Sequence, residues 1–261
     1  NHAWAGLFDA VGSAYRDGLV GIGGRARGLH LCYDGPETSA AAGNVMATQR
    51  SGPYIWVTWL SRLLVGDAYC EWAAWFKAHY TEYAKVPSSF NLAAWQVNHT
   101  AVLKEVCSGF EAEGATVSLE SQNHFRLRGS SGAILAGRPD IVTLAEGRGT
   151  VYEVKTGQPT PADQVQMMIY IYALPHLSAY SGAEFDGKVV YRDHQVDIPG
   201  SAVDEAFKTS LFSMIHRVAS PDPARRVPSR LECALCDLTA EDCPERVESD
   251  APDDAATVED F

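Results

Sequence analysis

Gly137-Arg138-Pro139-Asp140-Ile141-Val142-Thr143-Leu144-Ala145-Glu146-Gly147-Arg148-Gly149-Thr150-Val151-Tyr152-Glu153-Val154-Lys155-Thr156-Gly157 is the stretch on which the reading of this 261-residue chain turns. Two apolar runs flank Glu146-Gly147-Arg148-Gly149, which predicts a β-hairpin. If the hairpin is symmetric about Gly147-Arg148, Asp140 lies opposite Lys155 and Val142 opposite Glu153. Opposed residues of an antiparallel pair share a face, and so do residues two apart on one strand. Asp140, Glu153 and Lys155 are therefore expected on one face. Ile141, Val142, Val151 and Val154 make that strand pair a buried one.

Two carboxylates and a lysine on a buried face are costly unless something neutralises them. A divalent cation does so. Oxygen ligands suit Mg²⁺ or Mn²⁺, with the main-chain carbonyl of Val154 as a further ligand. Such an ion activates water and neutralises a phosphodiester, while Lys155 orients the nucleophile or stabilises the charged transition state. The plainer reading of the pattern is a surface hairpin with an ordinary Asp–Lys pair.

Outward from the hairpin, a helical region is expected from Val57 to about Tyr80. Leu60, Leu63 and Leu64 form its first stripe, and Trp72, Trp75, Phe76 and Tyr80 the second. Another helix is expected from Ser88 or Ser89, with Leu92, Trp95, His99, Val102, Leu103 and Val106 on one face, ending before Gly109. His99 is either a hydrogen-bonded core residue or a metal ligand. Strands are expected over Thr116–Leu127, Ile134–Leu144, Thr150–Lys155 and Lys188–Arg192. Helices are expected over Asp163–Leu174 and Asp204–Val218. The order implies an α/β fold with a mixed sheet. On the Asp163–Leu174 helix Gln166 and Tyr170 share a face, Gln164 competes for the role of Gln166, and Met167, Ile171 and Leu174 turn to the sheet.

The net charge of −12 argues against an extensive nucleic-acid footprint. Residues 241–261, however, carry nine acidic side chains against Arg246, a balance of −8, so the preceding 240 residues hold only −4. A local basic groove stays open, and the acidic end from Val247 reads as a solvated, disordered tail. No apolar run reaches membrane-spanning length and the first residues lack a signal-peptide layout, so a cytoplasmic protein is expected. Of six cysteines, Cys233, Cys236 and Cys243 crowd into a short C-x2-C-x6-C segment, which reads as metal ligation in a reducing compartment.

Together, Arg138-Pro139-Asp140, Glu153-Val154-Lys155-Thr156-Gly157 and Gln166-x-x-x-Tyr170 resemble the PD-(D/E)XK nuclease superfamily, in particular its RecB-like branch. The resemblance implies a restriction-endonuclease-like mixed sheet flanked by helices, with an N-terminal helical lobe and a C-terminal cysteine-rich segment. It implies catalytic roles for Asp140, Glu153, Lys155, Gln166 and Tyr170, and metal ligation by His99, Asp140, Glu153 and Val154. Members with an iron–sulfur cluster take one cysteine before the core and three after it. That implies Cys70 with Cys233, Cys236 and Cys243 around a 4Fe–4S cluster, Cys32 being the rival first ligand and Cys107 a buried spare thiol. Zinc at the four thiolates is the alternative. Within that branch the motifs resemble those of CRISPR-associated RecB-like exonucleases and of the iron–sulfur nucleases of helicase–nuclease repair complexes.

The division implied is 1–52, of unassigned role; 53–87, a helical lobe; 88–220, the nuclease core; 221–246, the cluster segment; and 247–261, the tail. The leading function is hydrolysis of DNA at single-stranded ends, in CRISPR adaptation, antiviral defence or DNA repair. The competing one is a non-catalytic nucleic-acid-binding or assembly module beside an integrase or helicase.

Overall fold

The computed structural model describes residues 46–113, 117–119 and 123–248. The expectations for residues 1–45, Cys32 included, and for the tail from Ser249 lie outside those residues. In chain order the elements are β1 (Thr48–Gln49), β2 (Tyr54–Trp56), α1 (Val57–Val65), α2 (Glu71–His79), β3 (Tyr80–Thr81), α3 (Leu92–Glu113), β4 (Val117–Leu119) and β5 (Phe125–Arg128). They continue with β6 (Ile134–Gly137), β7 (Ile141–Ala145), β8 (Arg148–Val154), α4 (Pro161–Ala173), β9 (Glu184–Val190), β10 (Gln195–Ile198), α5 (Glu205–Ala219) and α6 (Arg230–Ala234).

The strands form a five-stranded sheet, β10-β9-β8-β7-β4, a three-stranded sheet, β2-β6-β5, and the small pair β1-β3. β8 and β9 run parallel, as do β2 and β6; the other pairs are antiparallel. Parallel neighbours need a crossover, and α4 supplies it between β8 and β9. Thr160 and Asp163 close a capping box at its start, with Pro161 in the first turn. Buried residues follow around the whole circumference of α4 rather than along one stripe. The reason is a sandwich: the sheet lies on one side and α1 on the other. Met167 packs so close to β9 that a Cβ on Gly187 would meet its side chain at 2.3 Å. Ile55, Leu60, Met167, Ile169, Leu174 and Leu211 are fully buried in this core, each contributing about 1.5–3 kcal/mol. A second cluster gathers Trp72, Trp75 and Phe76 of α2 with Leu238 of the C-terminal segment.

Several expectations are corrected. The run Ile134–Leu144 is two strands, broken at Arg138-Pro139-Asp140, because Pro139 has no N–H for a ladder; the chain passes there from the three-stranded sheet to the five-stranded one. The run Thr116–Leu127 likewise divides, β4 joining β7 and β5 joining β6. The hairpin turns on Glu146 and Gly147, both at positive φ (50° and 79°), the pairing of a tight primed turn. Its register pairs Ile141 with Tyr152 and Val142 with Val151, two residues from the expected one. α3 begins at Leu92, where the Asn91 side chain accepts from the Ala94 N–H (3.0 Å), rather than at Ser88 or Ser89. It also continues through Gly109 to Glu113. The short strands β1, β2, β3 and β10 were not expected at all.

Candidate active site

A slip of two residues leaves face parity unchanged. Continued one step past its last pair, the observed register sets Asp140 opposite Glu153, and the acids still meet. Asp140 Oδ2 accepts the Val154 backbone N–H at 2.6 Å and lies 3.3 Å from His99 Nε2. His99 arrives from α3, its ring stacked on Trp95 with centroids 4.8 Å apart. Glu153 Oε1 accepts from Gln166 Nε2 (2.7 Å) and Lys155 Nζ (3.1 Å). Lys155 Nζ also donates to Gln166 Oε1 at 2.9 Å, and Gln166 Nε2 contacts Tyr170 OH at 3.0 Å. Gln166 thus contacts both Glu153 and Lys155 at once through the two ends of its amide. Gln164, on another face of α4, has no part in this cluster. Gly137 makes room for it, since a Cβ there would lie 2.7 Å from the Tyr170 ring and 2.8 Å from Phe125.

Two participants escaped the sequence reading. Asp163 Oδ1 lies 3.5 Å from Lys155 Nζ, while its Oδ2 accepts from Thr160 N and from Tyr191 OH (2.9 and 3.0 Å). The Thr160-x-x-Asp163 spacing signals a helix cap, but not this second contact. Asn123 Nδ2 donates to the carbonyls of Pro139 (3.2 Å) and Asp140 (3.3 Å), holding the corner between the sheets. No local pattern announces it.

Three carboxyl groups thus act on one ammonium in a largely buried cluster. Burial first, then the Asp140 charge, raises the Glu153 carboxyl from its ordinary 4.5 to about 7. Burial pulls Lys155 down, yet Glu153, Asp163 and Asp140 outweigh it and hold the ammonium above its usual range. Burial, reinforced by Glu153, keeps the Tyr170 phenol well above its ordinary value and hence neutral. Among the described residues no three His, Cys, Asp or Glu side chains converge to hold a metal ion. The acids are turned instead toward Val154, Lys155 and Gln166. Glu153 Oε2, however, is buried with no hydrogen-bond partner. An orphaned carboxylate oxygen beside a second acid is the environment a hard cation relieves, so the donor set fits Mg²⁺ or Mn²⁺.

The raised Glu153 pKa has a signed consequence. Folding favours the protonated carboxyl, so its stabilisation is present below pH 4.5 and lost as pH rises through about 7. In EDTA the melting temperature is expected to fall between about pH 5 and pH 8. Glu153→Gln should flatten that fall. Thermal melts of both proteins across this range check it, and identical slopes would remove the assignment.

The remaining candidate ligands meet elsewhere. Cys70, Cys233, Cys236 and Cys243 line one cavity of about 90 Å³, together with Trp72 and Arg226. None of the four is in a disulfide. Burial pushes the Cys236 and Cys243 thiols up, and Cys70 and Cys233 add to the shift at Cys243. Glu232 on α6 accepts the Tyr69 and Cys70 backbone N–H groups at 3.1 Å, holding the start of α2. Lys77 pairs with Asp237 at 3.3 Å, and Arg217 with Glu71 at 3.0 Å. Cys107, half-buried rather than buried, is in no disulfide and lies outside the cavity. Among the described residues no helix is long and apolar enough to cross a membrane.

Comparison with known proteins bears on the same segment. No curated protein matches the chain significantly. Among solved structures, 16 chains match. One, described as "Crystal structure of SSO0001", shares 20% identity over 76% of this chain and 89% of its own, with a TM-score of 0.36. The profile of the PD-(D/E)XK nuclease superfamily matches residues 60–249, which span both acids, the lysine and all four cavity cysteines. The mixed α/β architecture is consistent with the restriction-endonuclease-like fold of that superfamily, whose nucleases use divalent metals such as Mg²⁺ or Mn²⁺. The chain belongs to the PD-(D/E)XK nuclease superfamily.

Proposed function

We propose that the protein is a DNA exonuclease acting on single-stranded ends, with its catalytic centre at Asp140, Glu153 and Lys155. The observation that carries the reading is the buried Asp140–Glu153 pair, opposed across the hairpin, with one carboxylate oxygen unpartnered. Asp140, Glu153, His99 and the Val154 carbonyl would hold the cation. When bound, Mg²⁺ or Mn²⁺ supplies water activation and charge neutralisation at the scissile phosphate. Lys155, kept protonated by its three acids, offers an ammonium to the charge developing on phosphate. Gln166 fixes the lysine and Glu153 relative to each other, and Tyr170 fixes Gln166. Asp163, itself held by the Tyr191 hydroxyl, backs the lysine from behind.

The four cavity cysteines would bind a 4Fe–4S cluster that staples the start of α2 to the C-terminal segment. All four line one cavity, which brings a residue at the start of α2 to three of the C-terminal segment. Thiolates hold iron–sulfur clusters, and a single zinc at the same four cysteines is the alternative. The likeness to iron–sulfur RecB-like nucleases further points to DNA processing in CRISPR adaptation or repair, beside an integrase or helicase.

The test is degradation of end-labelled linear and covalently closed circular single-stranded DNA, with and without Mn²⁺. Metal-dependent release of nucleotides from the linear strand, with the circle intact, supports the reading. No degradation of either strand with Mn²⁺ present would sink it.

A further inference from the structure

The sheet β2-β6-β5 has one face in the core and one toward solvent. Its register sets Tyr54 and Arg128 on either side of Ile134, and Trp56 and Arg126 on either side of Ala136. Residues opposed in this way share a face. On the other face Ile55, Leu135 and Phe125 are buried. Along the outer face, Tyr54 and Trp56 are half-exposed while Arg126 and Arg128 are exposed, as are His124 and Arg138 at the strand ends.

These side chains form a connected surface. The Arg126 guanidinium lies 5.6 Å from the Tyr54 ring centroid, and that of Arg50 lies 5.5 Å from the same ring. Tyr54 and Trp56 rings are 5.9 Å apart, and Trp56 is 5.8 Å from the His124 ring. Tyr54 OH and His124 Nε2 approach to 3.4 Å. Arg50, Arg126, Arg128 and Arg138 make no ion pair with a carboxylate among the described residues. Burial, then the positive charges of Arg126 and Arg138, lowers the His124 pKa, as a locally positive field requires. In a chain of net charge −12, four arginines without acidic partners on one face are a concentration of charge that fold stability does not call for.

We propose that this outer face is the track that leads a single-stranded DNA to the candidate active site, its arginines meeting phosphates and its aromatic rings stacking bases. The inference rests on the nuclease reading above. Charge complementarity selects a polyanion, and half-exposed rings between guanidinium groups select unstacked bases over duplex. The track also points the right way. Arg138 precedes Asp140 by two residues, roughly 7 Å of extended chain, and Asn123, next to His124, holds the Asp140 corner.

The test uses the full chain and 5′-fluorescein-labelled dT20, with binding read by fluorescence anisotropy in Ca²⁺ without Mg²⁺ or Mn²⁺. The Arg126→Ala/Arg128→Ala double variant is expected to bind at least about tenfold more weakly. Its plot of log affinity against log salt should flatten by about 1.4, two phosphate contacts on a single strand. Tyr54→Ala should weaken binding with the salt slope retained, as stacking requires, and a 20-base-pair duplex should respond less to every variant. The double variant with Lys in place of both arginines should keep the slope, which separates lost charge from lost fold. Binding of dT20 unchanged in the Ala double variant, or equal losses on duplex and single strand, overturns the track. Cleavage of dT20 by the parent protein with Mn²⁺ is scored separately. If the parent cleaves while the variants bind normally, the track alone falls; if the parent cleaves nothing, the nuclease reading itself has failed.

Discussion

Asp140→Asn is expected to slow Mn²⁺-supported degradation of end-labelled single-stranded DNA by roughly a thousandfold, the scale of losing one preorganised electrostatic partner at a metal-assisted centre. The substitution keeps shape and leaves an oxygen to accept the Val154 N–H, so the corner between the two sheets should survive. It removes the charge that, after burial itself, does most to raise the Glu153 carboxyl. Glu153 should then ionise more readily, and the metal-free protein should melt no lower at pH 8 than the parent. Activity and stability are thus expected to move independently. Cleavage time courses paired with thermal melts read both, and a variant keeping more than about a tenth of parental activity would contradict the role given to Asp140.

The second large effect concerns the cysteine cavity. Cys243→Ser is expected to lose bound iron and its visible absorbance, and to melt roughly 5–10 °C lower, as loss of a few kcal/mol does in a domain of this size. Complete unfolding is not expected. Leu238 is fully buried against the aromatic residues of α2. Val86 N donates to Asp237 O at 2.8 Å, Trp72 N to Arg225 O at 3.0 Å, and Trp75 Nε1 to Ser220 O at 2.8 Å. These ties hold the C-terminal segment without help from the thiols. Iron analysis after anaerobic purification, with Cys107→Ser as the comparison, makes the measurement. Full iron retention in Cys243→Ser, or zinc in the parent, would remove the cluster from this account.

The convergence of Asp140, Glu153 and Lys155 was legible because face parity survives a two-residue error in register. The turn was misplaced, since Glu146 and not Arg148 takes the left-handed position beside Gly147, yet the acids still met. Gln166 and Tyr170 were legible through helical spacing alone. Strand boundaries were less so: Ile134–Gly137 and Ile141–Leu144 read as one run across Arg138-Pro139-Asp140, where the missing N–H of Pro139 marks the change of sheet. β2 carries three residues, one of them Trp56 at the N-cap of α1, too short for alternation to show. Asp163 and Asn123 act through contacts that no local rule contains. The same holds for the arginine-rich face, which gathers Arg50, Tyr54, Arg126 and Arg138 from distant parts of the chain.

Gly137 carries no functional group, yet its bare backbone sets the tolerance of the whole cluster. A methyl group there would press on Phe125 and on the Tyr170 ring. Tyr170 steadies Gln166, and Gln166 grips Glu153 and Lys155 together. The smallest inert addition to the strand would therefore travel through a relay of three contacts and misalign the acid without touching a reactive atom.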